Sequence, residues 1–293
     1  METPIDIVIP WLNPTDDWFR QYILYKEDEH SCRIRDLKTI RPTIKGILKN
    51  LPWVRYIWLI VFDEKQIPTD WDELKNEKIR FVYHKDILPK EFLPNFNSML
   101  PECYVNKISG LSENFIWSND DIVYTKPIPK TYYFKDNKPV HRRKRIFIRK
   151  ENKNNRYEEM CNSSAKFIQK IDGKLYWSLD DHMPIPLKKS MIDFLWAKHE
   201  KMIYESCRNS KIRKPFNLVF GTIVYTLDEL HNLCVYDNNT DIKHKPIWIS
   251  DKTTKAEIIS AINNNHIVCL NDSENLNDNV DNIIKIIEES FGV

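Results

Sequence analysis

Apolar runs alternate with stretches of helical period along the first half of the chain. Ile5 to Trp11 is apolar except for Asp6 and Pro10 and predicts a buried strand, ending in the loop Asn13-Pro14-Thr15-Asp16-Asp17. Residues 18–30 predict a polar helix. Residues 38–50 predict another, with Ile40, Ile44, Ile47 and Leu48 on one face and Pro42 early enough for the first turn. Tyr56–Phe62 and Ile79–Tyr83 predict two more strands, ending at Asp63 and at His84-Lys85-Asp86. A helix is predicted over 97–107, then a strand over Phe115–Ser118 that runs into Asn119-Asp120-Asp121. Strand, helix, strand, strand, helix, strand, with polar residues collecting after the strands, predicts an α/β sheet. Its ligand site should lie beyond the carboxyl ends of the strands.

The second half reads differently. Residues 130–180 are rich in Lys, Arg and Asn, with Tyr132-Tyr133-Phe134 and Ile146-Phe147-Ile148 as strand-like islands, and predict an inserted basic, β-rich flap. Helices follow over 187–206 and 215–231. Short strands follow at Ile247-Trp248-Ile249 and Ile267-Val268-Cys269-Leu270, and an amphipathic helix over 278–290 closes the chain. Residues 1–293 are read as one catalytic domain, because polar candidates from both ends must meet at one site.

Composition narrows the function. Lys plus Arg is 44 and Asp plus Glu is 42, so a net charge of +2 gives no bulk attraction to nucleic acid. With only five Gly, and neither GxGxxG nor GxxxxGK[ST], the dinucleotide fingerprint and the P-loop are excluded. The six Cys are scattered without zinc spacing and are expected to be reduced thiols. The N-terminus lacks the pattern of a signal peptide, and the longest apolar run, Ile57–Phe62, is far short of the roughly 20 residues a bilayer span needs. The expectation is a soluble chain, at most attached to a membrane surface.

Four groups could carry chemistry. Asn119-Asp120-Asp121 places adjacent carboxylates at a strand end, which suits a hard divalent cation or a solvated turn. His182, in Asp180-Asp181-His182-Met183-Pro184, could take a proton near neutral pH or simply sit on the surface. Arg208 and Arg213 offer guanidinium forks for phosphate oxygens, or a solvated basic turn. His141-Arg142-Arg143-Lys144-Arg145 could steer an anionic acceptor, touch an anionic membrane, or flank an exposed hairpin.

Taken in order, these pieces resemble the Stealth family of sugar-1-phosphate transferases. The resemblance starts at Ile5–Asp16. It is most specific in Asn50-Leu51-Pro52-Trp53-Val54-Arg55, Phe96-Asn97-Ser98 with Glu102, Ile108-Ser109-Gly110-Leu111-Ser112-Glu113 and the strand into Asn119-Asp120-Asp121. It continues in His182-Met183-Pro184 and Ile212-Arg213-Lys214-Pro215-Phe216-Asn217, where Asn217 replaces a common acid, and ends at Leu270-Asn271-Asp272.

The resemblance implies a nucleotide-sugar-transferase-like fold of the GT-A type: a mixed sheet with helices on both faces and an inserted flap. It implies transfer of a sugar-1-phosphate from a UDP-sugar to a hydroxyl of a glycan or lipid-linked saccharide, with release of UMP, in capsule or surface-polysaccharide synthesis. By the same resemblance Asp120, Asp121 and Asp272 hold Mg²⁺ or Mn²⁺, His182 takes the proton, and Arg213 and Arg208 hold phosphate oxygens. Asn97, Ser98 and Glu102 contact the donor sugar, while Asp6, Asn13, Asp16 and Asn119 lie near the donor. A cytoplasmic bacterial enzyme is expected, with residues 141–145 touching the inner membrane face. Two other readings stand beside it: a metal-dependent glycosyltransferase that releases UDP, and a non-catalytic glycan-binding protein using its nine Trp and thirteen Tyr.

Overall fold

In chain order the first elements are β1 (Ile5–Pro10), α1 (Ile40–Asn50), β2 (Val54–Val61), β3 (Ile79–Tyr83), α2 (His84–Ile87), α3 (Met99–Cys103), β4 (Asn114–Trp117) and β5 (Ile122–Tyr124). Then come β6 (Phe134–Lys135), β7 (Lys138–His141), α4 (Arg156–Asp172), β8 (Ile185–Lys188), α5 (Lys189–Cys207), α6 (Phe220–Leu230) and β9 (Val235–Tyr236). The chain closes with β10 (His244–Ile249), α7 (Lys255–Asn264), β11 (Ile267–Asp272) and α8 (Val280–Phe291). This computed structural model describes residues 3–12, 35–142, 156–175, 183–237, 241–273, 275–276 and 278–293.

The main sheet has the order β3-β2-β1-β4-β8. Its first four strands are parallel, and β8 joins β4 antiparallel. Both faces are covered, which is why these strands read as continuous apolar runs. Ile5, Ile7 and Ile9 with Ile57, Leu59, Val61 and Ile116 face one core, packed against α1. Val8, Trp58, Ile60, Phe115 and Trp117 face the other, against residues of α3, α5 and α6. The sheet is therefore mixed α/β with helices on both faces, as expected.

A second sheet, β10-β11-β5, is reached directly from the end of β4. Cys269 and Ile267 pack into the same core as α1, whereas Val268 and Leu270 face Ile258, Ile283 and Ile287 of α7 and α8. The period-2 alternation of β11 thus joins two cores. Helix α1 crosses this junction closely. A Cβ on Gly46 would lie 2.6 Å from the Tyr124 carbonyl oxygen, so only glycine permits the approach. Gly46→Ala is expected to lower stability by about 2 kcal/mol, through overpacking against backbone that cannot swing aside. Urea denaturation measures this, and an unchanged midpoint would show that the junction can open.

Two expectations are corrected here. The span 130–180 is not β-rich throughout. A hairpin, β6–β7, turns at Asp136 and Asn137, both with positive φ (51° and 59°), as a two-residue turn requires. Residues 156–172 then form a helix, because Met160, Cys161, Ser164, Ala165 and Ile168 recur at helical spacing and are buried. Polar residues between these positions hid that stripe. The second correction is at Leu187 and Lys188, which end the edge strand Ile185–Lys188 and do not start the helix predicted over 187–206. Pro186 lacks an N–H for a ladder, and an edge position accommodates that.

Candidate active site

The parallel strands end at one rim. At the end of β4, Ser118 N–H donates to the Val8 carbonyl at 2.9 Å, and the chain then turns through Asn119-Asp120-Asp121 into β5 of the second sheet. The turn is fastened on both sides. Thr43 Oγ1 of α1 donates to the Asp120 carbonyl at 3.0 Å, and Leu270 N–H of β11 donates to the Asp121 carbonyl at 2.8 Å. Cys269 Sγ–H donates to Asp121 Oδ2 at 3.4 Å. Asn119 is exposed, while Asp120 and Asp121 are half-buried.

Burial first, then the neighbouring carboxylates of Asp121 and Asp36, push the Asp120 carboxyl up to about 8, and the positive charge of Arg213 pulls it down. Asp36 was not legible as a site residue, being one acid in a polar stretch with no motif around it. Its carboxyl is itself raised by burial, and its Oδ1 accepts from Lys38 N–H at 2.7 Å.

Arg213 comes from the loop after α5. Asn97 Nδ2 donates to the carbonyls of Ser210 at 3.0 Å and Ile212 at 3.4 Å, and Phe96 N–H donates to the Lys211 carbonyl at 2.8 Å. Asn217 completes the anchorage. Its Oδ1 accepts from Lys214 N–H (2.6 Å) and Asn97 Nδ2 (2.9 Å), and its Nδ2 donates to the Ser206 carbonyl (2.6 Å) and Ser210 Oγ (2.9 Å). An ionised acid at this position could accept but not donate, so the asparagine suits this loop.

So held, Arg213 donates through one terminal nitrogen to Ser98 Oγ at 2.6 Å. It also lowers the carboxyl of Glu102, which burial raises to about 7. Glu102 Oε1 accepts from Gly221 N–H at 2.9 Å at the start of α6, where a Cβ on residue 221 would stand only 2.7 Å from that oxygen. Arg213, Ser98, Glu102 and Asp120 are thereby brought together.

Other predicted contacts serve the scaffold instead. Asp6, fully buried near the amino end of β1, lies away from the rim. Its two oxygens accept from Arg55 (2.8 and 2.6 Å), Tyr56 N–H (3.3 Å), Trp58 Nε1 (2.9 Å) and Ser112 N–H (2.9 Å), so it is no donor-binding group. The Arg55 guanidinium also donates to the Gly110 carbonyl at 2.8 Å, and Gly110 has φ +81°. The Ile108–Glu113 motif is thus a turn pinned to β2.

Asn97 is buried with its amide engaged as described and does not face a donor sugar. Asp272 is gripped by Arg35, with Nε to Oδ2 and a terminal nitrogen to Oδ1 both at 2.8 Å, which takes the face a metal would need. Arg208 is exposed and faces Glu205 at 3.5 Å, outside the Arg213–Ser98–Asp120 group. Of the basic cluster, His141 is fully buried and stacks on Tyr225 at 3.5 Å, and Arg142 lies over the Tyr132 ring and donates to its carbonyl. His141 is thereby withdrawn from the surface, while Arg142 is half-buried. Asn13, Asp16, His182 and residues 143–145 lie outside the described residues. The chain resumes at Met183, and Ile185 pairs with Trp117, immediately before the acidic turn.

Among the described residues, no three His, Cys, Asp or Glu side chains form a group able to hold a metal ion. The set Asp120, Asp121 and Asp272 is therefore not assembled. Asp120 and Asp121 alone still fit a magnesium-type ion, which takes one or two carboxylates and fills its remaining positions with water and phosphate oxygens. Burial raises the Asp120 carboxyl most, and the neighbouring carboxylates of Asp121 and Asp36 add negative charge that a cation would offset. No helix among the described residues is long and apolar enough to cross a membrane.

Residues 33–142 match the description Stealth protein CR2, conserved region 2. Over 239 residues the chain is 31% identical to the capsular polysaccharide phosphotransferase cps1A of Actinobacillus pleuropneumoniae, covering 76% of this chain and 64% of that protein. Residues 33–142 thus carry a conserved region of the Stealth family. It is also 30% identical over 243 residues to the capsular polysaccharide phosphotransferase fcs1 of Haemophilus influenzae, covering 75% of this chain and 63% of that one. This chain spans a little under two thirds of the length of these relatives. A solved galactosyltransferase, LgtC, in complex with donor and acceptor sugar analogues, aligns over 97% of this chain and 95% of its own with a TM-score of 0.44 and 11% identity. At that score the likeness carries no weight for the chemistry. Within the Stealth match lie Asp36, Ser98, Glu102, Asp120 and Asp121; Arg213 lies beyond it and reaches the site through the fold.

Proposed function

We propose that this chain transfers a sugar-1-phosphate from a UDP-sugar to a glycan hydroxyl, in capsule or surface-polysaccharide synthesis. The observation that carries the reading is the pairing of Arg213, docked on Ser98, with the acidic turn at Asp120 within its electrostatic reach. A guanidinium facing a carboxylate pair complements a diphosphate bridged by a cation. The names of the relatives support the same class of reaction.

In this reading the acceptor hydroxyl oxygen attacks the phosphorus that bears the sugar. A new P–O bond forms, the P–O bond to the bridging oxygen breaks, and UMP leaves with that oxygen. The hydroxyl proton passes to the imidazole of His182. Arg213 holds the phosphoryl oxygens as charge spreads over them in an in-line displacement. Ser98 orients the guanidinium, and the buried Glu102 lies within its electrostatic reach. Asp120 and Asp121 would hold Mg²⁺ or Mn²⁺, which when bound offsets the diphosphate charge.

The test is the released nucleotide. With Mg²⁺, a UDP-sugar panel and a glycan acceptor, the expected product is acceptor-dependent UMP. EDTA should abolish it, and His182→Ala should lower it by about 10²-fold or more. Release of UDP would mean that the sugar–oxygen bond breaks, and the glycosyltransferase reading would replace this one.

A further inference from the structure

Asp121 is held by two consecutive residues of β11. The antiparallel register pairs Cys269 with Ile122 and so sets Leu270 opposite Asp121. Leu270 N–H donates to the Asp121 carbonyl at 2.8 Å, and Cys269 Sγ–H donates to Asp121 Oδ2 at 3.4 Å. From the other side, Thr43 Oγ1 donates to the Asp120 carbonyl at 3.0 Å. The Thr43 and Leu270 bonds fix the backbone of the turn but do not set the torsion of the Asp121 carboxylate. The thiol reaches the carboxylate itself.

The position of Cys269 explains why a thiol stands there. It is fully buried, in the core that α1 closes with Ile40, Ile44 and Ile47. A thiol fills such a core as a small hydrophobe and still carries one weak donor. Valine would fill the space without donating. Serine would donate but leave the core underfilled. Among the described residues no three His, Cys, Asp or Glu side chains form a ligand group, so the sulfur is placed behind the carboxylate and not beside it as a ligand.

We propose that Cys269 is a positioning residue for the cation site, its S–H setting the orientation in which Asp121 meets a divalent ion. The inference rests on the metal-assisted reading above. A group behind a metal ligand fixes the rotation of that ligand, and removing one typically lowers metal affinity by about 10- to 100-fold. A site with two carboxylates, completed by water and phosphate oxygens, depends on this orientation more than a closed cage does. Because sulfur is a weak donor, the expected loss lies at the lower end, about tenfold.

The experiment titrates Mn²⁺ into the full chain, alone and with UDP, and reads the unbound ion by electron paramagnetic resonance. A thermal melt of each ion-free variant is taken in parallel. Cys269→Val is expected to weaken Mn²⁺ binding about tenfold with little change in the melt. Cys269→Ser is expected to keep Mn²⁺ affinity within about threefold of the parent while melting at a lower temperature. Affinity then follows the donor and stability follows the packing, a split that a purely structural cysteine would not produce. Adding Cys269→Val to Asp121→Asn should lower affinity no further, because the thiol acts through that carboxylate.

Equal Mn²⁺ affinity in Cys269→Val and the parent overturns the proposal. So does a loss shared by the valine and serine variants in step with their melts, or an additive loss in the double variant. A parent that binds no Mn²⁺, alone or with UDP, removes the cation site and the proposal together. Valine-sensitive Mn²⁺ binding without any UMP release leaves Cys269 in this role and removes the transferase reading. EDTA-sensitive UMP release with equal Mn²⁺ affinities does the reverse.

Discussion

Arg213→Ala is expected to reduce kcat by about 10³-fold, with a much smaller change in the KM for the donor. The guanidinium stands 2.6 Å from Ser98 Oγ and within electrostatic reach of Asp120, where the phosphoryl oxygens of a diphosphate would lie. Charge on those oxygens grows in the transition state, so its loss falls mainly on kcat. Arg213→Lys should recover little, because an ammonium cannot keep Ser98 on one branch of a fork and phosphate on another. The fold should survive, since the loop is anchored by Asn97 and Asn217. Ser98→Ala should cost about tenfold or less, by loosening the guanidinium. Steady-state kinetics on UMP release with a thermal melt of each variant measures this. An Arg213→Ala enzyme with kcat within about threefold of the parent would remove Arg213 from the mechanism.

Asp6→Ala is expected to lose about 3–5 kcal/mol of stability without a direct effect on donor affinity. Its carboxylate receives five hydrogen bonds and ties β1 to β2 and to the Gly110–Ser112 turn. Removing it strands the Trp58 indole N–H and the Ser112 N–H in a buried setting, leaves the Tyr56 N–H without this acceptor, and takes the ion-pair partner from the partly exposed Arg55 guanidinium. If Asp6→Ala fails to fold, Asp6→Asn tests the same point, since it retains an acceptor and loses the ion pair. Urea denaturation gives the stability change, and UDP-sugar titration of the folded fraction gives the affinity. A normal midpoint with weakened donor binding would return Asp6 to the role its motif suggested.

Asp6 also shows the limit of reading a motif. Its neighbours Ile5, Ile7, Val8 and Ile9 announced a strand because a sheet covered on both faces leaves no polar side to interrupt the run. The letter Asp inside that run could mean a ligand to substrate or a buried anchor for backbone. Only the approach of Arg55, Trp58 and Ser112, each about 50 or more residues away, decides between them. Asn97 and Asp272 follow the same logic, because an amide or carboxylate is read in sequence without its partner. Missed elements have local causes. Pro186 obscured an edge strand, and the polar residues between Met160 and Ile168 diluted a helical stripe.

What the amino-acid order determined by itself is the local and the repetitive. It set the buried strands, the amphipathic helix that became Val280–Phe291, and the acidic turn after Phe115–Trp117. Each rests on a periodicity or a neighbouring pair of residues, and neither needs a distant contact. The tertiary structure decided which polar residues share a site. Ser98 and Arg213 are 115 positions apart, and Asp36 joins Asp120 with no signal in the chain between them. Those meetings follow from packing α1, β11 and the post-α5 loop around one rim. Electrostatic reach depends on separation in space, and the chain brings these groups close only after its cores have closed.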